Sequence, residues 1–144
     1  MSTELTFRRT HHATPELLFD CMTTPAHLAA FWGPAGMTTP IESITVDLRP
    51  GGAFETTMVN DTGGSHTMRA VYVEVSRPDR LVWEEPDGGM RTTITFVDLH
   101  DGRTEVITHQ VRVPDRMASP QAQAGFVTSL DRFDVYIAGI GAPR

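Results

Sequence analysis

Six histidines, two tyrosines and one cysteine, in a chain of 144 residues whose basic side chains are all arginine, bound the chemistry on offer. With no lysine, a Schiff base, a lysine general base and a P-loop lysine are all excluded. His66 is the polar residue best placed for a role. It alternates with Met68, Ala70 and Tyr72 along one strand face, which the pattern turns inward. An imidazole there suits hydrogen bonding or proton transfer inside a mostly apolar space. Tyr72, Glu74 and Glu85 are further candidates, whereas Glu84 points to the other face. His11 and His12 resemble a metal pair, but adjacent strand residues diverge and no third ligand stands at a recognised spacing, so no metal site is expected. His109 would join a site only in one of two registers open to its strand. Cys21, alone among apolar residues of a short helix, reads as a small buried filler. No nucleophile elbow, nucleotide-cradling glycine loop or paired catalytic carboxylates appear, so catalytic residues stay unassigned and no cofactor is implied.

A net charge of −6 argues against nucleic acid, which requires clustered cations. Arg8-Arg9 is the only basic pair, and its members face opposite sides of a strand. No apolar run reaches the roughly 18–20 residues of a membrane span. The start, Met1-Ser2-Thr3-Glu4-Leu5, lacks a basic segment followed by an apolar block. A cytoplasmic protein without membrane attachment is the expectation, folded as a single domain over residues 1–144.

Three segments open alike, with Thr14-Pro15, Thr24-Pro25 and Ser119-Pro120. A hydroxyl at the N-cap can accept an orphan backbone N–H, and proline lacks a donor where none is needed. Helices are predicted over 15–22, 25–32 and 119–138. In the last, Ala122, Phe126, Leu130, Phe133 and Ile137 recur at steps of three and four, forming one apolar stripe. Gly125 sits inside this helix at a cost of roughly 1 kcal/mol relative to alanine, which close approach or room for a ligand would explain. Strands are predicted over 4–11, 41–47, 52–60, 65–76, 80–86, 90–99 and 103–113, separated by turn signals of which Pro50-Gly51 suits a type II turn.

Alternation turns Phe54, Thr56 and Met58 to the same side as His66, Met68, Ala70 and Tyr72. Leu81 and Trp83 continue that face, followed by Met90, Thr92, Ile94 and Phe96. For the last strand, Ile107, His109 and Val111 compete with Val106, Thr108 and Gln110. One apolar sheet face must be covered, and only the final helix is long enough. The expected fold is therefore α+β: an antiparallel sheet wrapped around a long C-terminal helix, with two short helices between the first two strands closing one end.

The pieces Ala13-Thr14-Pro15-Glu16-Leu17-Leu18-Phe19, Phe31-Trp32-Gly33-Pro34 and Arg49-Pro50-Gly51-Gly52-Ala53-Phe54 occur in an order that resembles the helix-grip proteins of the START-like (SRPBCC) superfamily. Within it the chain is similar to the family of activators of heat-shock-protein-90 ATPase homologues. Val71-Tyr72-Val73-Glu74-Val75, Ile94-Thr95-Phe96 and Gly125-Phe126 extend the likeness over nearly the whole chain. Two positions depart from it: Ala70 stands where the family usually has glycine, and Phe126 where it often has tryptophan. The resemblance implies a helix-grip fold with a cavity between sheet and helix, and no shared catalytic residues.

The leading expectation is binding of a small hydrophobic or aromatic molecule in that cavity. Trp32, Phe54, Met58, Met68, Trp83, Met90 and Phe126 would line it, with His66 and Tyr72 as polar orienters. An enzyme of cyclase, dehydratase or isomerase type acting on a hydrophobic substrate is the alternative. A chaperone-ATPase-activating interaction module is a third reading, from the family name alone. A homodimer through sheet edges or the outer helix face remains open.

Overall fold

Residues 3–141 are described in a computed structural model. The order is β1 (Thr3–His11), α1 (Pro15–Thr23), α2 (Pro25–Phe31), β2 (Met37–Thr38), a 3-10 turn (Ile41–Ser43) and β3 (Thr45–Val46). Then follow β4 (Ala53–Asn60), β5 (Ser65–Ser76), β6 (Arg80–Glu84), β7 (Arg91–Asp98), β8 (Thr104–Val113), α3 (Asp115–Ala118) and α4 (Pro120–Gly141). All pairings are antiparallel, in the order β1-β8-β7-β6-β5-β4-β2, with β3 also on β4. The sheet curves around α4, which covers its inner face.

The proline-led starts behave as the sequence suggests at two places. The Thr14 hydroxyl accepts from the Leu17 N–H at 3.1 Å, and the Ser119 hydroxyl from the Ala122 N–H at 3.1 Å. Thr24 departs from this. Its side chain makes no cap bond, because the same residue both ends α1 and starts α2. The strand expected over 41–47 is also corrected: residues 41–43 form the 3-10 turn, leaving only β3. Here the Ser43 hydroxyl bonds the Pro40 carbonyl and the Thr57 backbone, a local alternative to a ladder. The short strand β2 and the four-residue α3 were not expected from the pattern, and α4 runs three residues past its predicted end of 138.

The Arg49-Pro50-Gly51-Gly52 segment needs both glycines. Gly51 has φ +85°, and Gly52 N–H donates to the Arg49 carbonyl at 2.8 Å, closing the turn. A Cβ on Gly52 would fall 2.0 Å from the Asp47 carbonyl oxygen, so a side chain there is excluded without backbone movement.

Pairing with β7 decides the open register of β8. Val106, Thr108 and Gln110 stand opposite Phe96, Ile94 and Thr92, all facing inward. His109 therefore faces out, where its ring meets Glu4. The inner face has two unlike halves. At the end covered by α1 and α2, Phe54, Tyr72, Leu81 and Phe96 pack with Leu18, Phe19 and Leu28, and with Phe133 and Ile137 of α4. The other end lies beneath the first half of α4, and there the packing opens.

Candidate functional site

A cavity of about 400 Å³ occupies that open end, between the sheet and α4. The size falls within the range of small-molecule pockets, roughly 300–1,000 Å³. Its sheet wall carries Met58, Met68, Trp83, Met90, Ile94 and Val106, with Thr92, Thr108 and Gln110 interspersed; its helix wall carries Ala122, Gly125, Phe126, Ser129 and Leu130. A Cβ built on Gly125 would meet nothing within 4 Å. The glycine therefore widens the cavity rather than admitting a neighbouring element.

The Trp32-Gly33-Pro34 segment forms one rim. The Trp32 indole N–H donates to the Thr56 hydroxyl at 3.2 Å, and its ring meets Phe54 and Trp83 at centroid distances of 5.4 and 6.2 Å. Gly33, at φ +104°, is pressed by the Met58 thioether, whose sulfur would lie 2.6 Å from an added Cβ. Arg132 of α4 donates from one guanidinium nitrogen to the carbonyls of Gly33, Pro34 and Met37, and Ala35 N–H donates to the Thr128 hydroxyl. The rim is thus fastened to the helix that forms the opposite wall.

Of the nine residues expected at the site, Trp32, Met58, His66, Met68, Trp83, Met90 and Phe126 lie along the cavity. Phe54 and Tyr72 do not. They stack on one another behind the wall, with centroids 5.4 Å apart and planes within 10°, and both are fully buried. Their alternation is inward, but they sit at the packed end of their strands. Burial pushes the Tyr72 phenol well above its ordinary range, and its hydroxyl has no partner among the described residues. His66 is an exposed residue at the mouth rather than an enclosed one. Glu85, just past β6, also borders the cavity, whereas Glu84 faces away and pairs with Arg91 and Arg112. Burial raises the Glu85 carboxyl above its usual range, an effect partly offset by the Arg116 guanidinium.

The polar groups at the cavity floor were missed in sequence. Leu5, Phe7, Arg9 and His11 line it from β1, Met117 from α3 and Asp134 from α4. His11 is 5% exposed. Its Nε2 lies 3.6 Å from Asp134 Oδ1, beyond hydrogen-bond length, and both atoms are buried without a partner. Arg9 Nη1 donates to Asp134 Oδ2 and to Asp131 Oδ1. Burial lowers the His11 imidazole below its usual range; Asp134 pulls it up and Arg9 pushes it further down. The signal was available as an alternation: Arg9 and His11 share a strand face with Leu5 and Phe7. Elsewhere, Cys21 is fully buried, its thiol pushed up to about 11 by burial. Among the described residues, no helix is long and apolar enough to cross a membrane.

An antiparallel sheet curved around a long C-terminal helix, with two short helices after β1, defines a helix-grip protein of the START-like class. The family model described as "Activator of Hsp90 ATPase homolog 1-like protein" matches residues 12–138, and the chain belongs to that family. A crystal structure of a protein from Chromobacterium violaceum is similar at 25% identity and a TM-score of 0.83, with 99% of each chain covered. An AHSA1 protein from Silicibacter pomeroyi (21% identity, TM-score 0.78) is covered over 98% of its length by 94% of this chain. An AHSA1-like protein from Aeromonas hydrophila (23%, TM-score 0.78) is covered over 96% by 97% of this chain. These last two likenesses speak to the fold. No curated protein matches significantly.

Proposed function

We propose that the protein binds a small hydrophobic or aromatic molecule in the cavity between the sheet and α4. The observation that carries this reading is the cavity itself, about 400 Å³ walled mainly by aromatic, thioether and aliphatic groups. Apolar enclosure supplies affinity and a few polar groups supply orientation. Methionines at 58, 68, 90 and 117 around it can adapt to different apolar shapes. Gly125 supports the reading further, since a helix that retains glycine where alanine would fit gives up stability and keeps space. The test is a thermal-shift and native mass-spectrometry screen with flat apolar compounds such as naphthalene. A ligand-dependent rise in melting temperature, lost when Gly125→Leu fills the space, is the expected result. Absence of binding across such a panel would remove the reading.

A catalytic role on a hydrophobic substrate is the second reading, favoured by His11 standing beside Asp134 at the floor. In that reading His11 is the base, and Tyr72, enclosed behind the wall, takes no part. A His11→Gln variant retaining full turnover of any identified substrate would dispose of it.

A further inference from the structure

Building on that cavity reading, we infer that the ligand is a neutral aromatic bearing a hydroxyl, inserted hydroxyl first, with His11 and Asp134 as the pair that receives it. Among the buried polar atoms without partners, His11 Nε2 and Asp134 Oδ1 stand together, 3.6 Å apart, on the floor of a mainly apolar space, whereas the other such atom on its lining, Trp83 Nε1, has no acceptor or donor beside it among the described residues. Unpaired buried polar atoms are costly, and native proteins seldom keep them. A hydroxyl oxygen about 2.8 Å from each would satisfy both at once. It would donate to the carboxylate and accept from the imidazole N–H in the Nε2-protonated tautomer. A bare hydrocarbon can satisfy neither atom.

The charges on the walls exclude the obvious alternative, an anionic head group. Among the described residues Arg9 is the only arginine lining the cavity, and its Nη1 is already bound by Asp131 and Asp134. Glu85 adds a second carboxylate farther along the wall. An entering carboxylate or sulfonate would lose its hydration and meet Asp134 and Glu85, with the Arg9 guanidinium already held by two carboxylates. A phenolic hydroxyl keeps the flat apolar body that the walls accept and brings the one donor that the floor lacks.

Three probes of one shape decide the matter: naphthalene, 2-naphthol and 2-naphthoate, titrated by calorimetry at pH 7.5 into the wild-type protein, His11→Phe and Asp134→Asn. The wild type is expected to bind 2-naphthol at least about tenfold more tightly than naphthalene, as fits a hydrogen bond to a charged group. It should bind 2-naphthoate more weakly than either. In both variants the advantage of the hydroxyl should shrink to about twofold or less while naphthalene binding is kept. If naphthalene binds as tightly as 2-naphthol in the wild type, or 2-naphthoate binds best, the anchor is wrong while the apolar cavity stands. If none of the three binds, the small-molecule reading itself falls, and this inference with it. The wild-type comparison needs no variant to fold.

Discussion

The two halves of the inner sheet face share one alternating pattern and one long helix, yet one is solid and the other hollow. At the α1–α2 end, Phe54, Tyr72, Leu81 and Phe96 meet Phe19 and Leu28, and large groups fill the interval. At the other end the same strands present Thr92, Thr108 and Met68, and α4 presents Ala122, Gly125 and Ser129. These small or flexible groups, interspersed among the aromatic ones of the open end, leave volume that large groups fill at the other. Residue size, with Gly125 beside open space, therefore contributes to the hollow here. That allocation separates stability from binding: the solid half should carry most of the folding free energy, and the open half most of the ligand response.

The largest effects belong to the solid half. Phe54→Ala removes a fully buried ring that touches Trp32, Tyr72 and Trp83, and should cost about 3–5 kcal/mol in urea unfolding. Phe126→Ala removes a partly exposed ring beside Phe7 in the open half and should cost no more than about 2 kcal/mol. Its main consequence should be loss of naphthalene binding. Equal unfolding costs at the two positions would erase the distinction between the halves.

Next in size comes Gly125, where stability and binding should move in opposite directions. Gly125→Ala adds a methyl group in open space and relieves the glycine cost within the helix, for a gain of about 1 kcal/mol. Gly125 lines the cavity, so affinity for flat aromatics should fall when the methyl is added. A variant that is both stabilised and undiminished in binding would show that the glycine is not there to keep space.

At the junction of the halves, His11 offers a pH test. Its folded imidazole is held below the ordinary value of about 6.5, so the unfolded chain takes up the proton first. Stability from this group is therefore full above about 6.5 and is lost as pH falls toward the folded value. The groups facing the ring are Arg9 on its own strand and Asp134 on α4, with Asp131 beside them; the Asp134 carboxylate moderates the loss. The melting temperature should drop between pH 7 and pH 5, and His11→Phe should flatten that part of the curve. An unchanged slope in the variant would mean that His11 does not titrate as a buried group. Glu85 has the opposite sign. Its raised folded value makes it a liability as pH rises through that value, so Glu85→Gln should be at least as stable as the parent at pH 7.

What was legible in the sequence was mostly local. Thr14-Pro15, the alternation of 54–58 and 66–72, and the stripe of α4 each encode their own geometry within a few residues, and together they specify the helix-grip arrangement. Even the Arg-Pro-Gly-Gly turn announces itself, because Gly51 takes a positive φ that favours glycine and Gly52 has no room for a Cβ. The site was harder to read because it depends on position along a strand as well as on face. Phe54 and Met58 alternate identically, but only Met58 reaches the end where the cavity lies. The floor depends on β1 lying beside β8 and beneath Asp134, a contact between residues more than a hundred apart in the chain. No local pattern contains it. Arg9 and His11 on an otherwise apolar face were the only trace.

The smallest expected change tests the solid half most directly. Tyr72 is stacked on Phe54, and its hydroxyl is buried without a partner among the described residues. Tyr72→Phe keeps the stacked ring and removes an oxygen that loses hydration on folding, so stability should change by less than about 1 kcal/mol and in the favourable direction. Ligand affinity should not change, because the ring lies behind the wall. A clear loss of stability would mean that the hydroxyl has a bonding partner inside the packed region. That region would then contain a second polar device, and the contrast between a sealed half and a binding half would need redrawing around Tyr72.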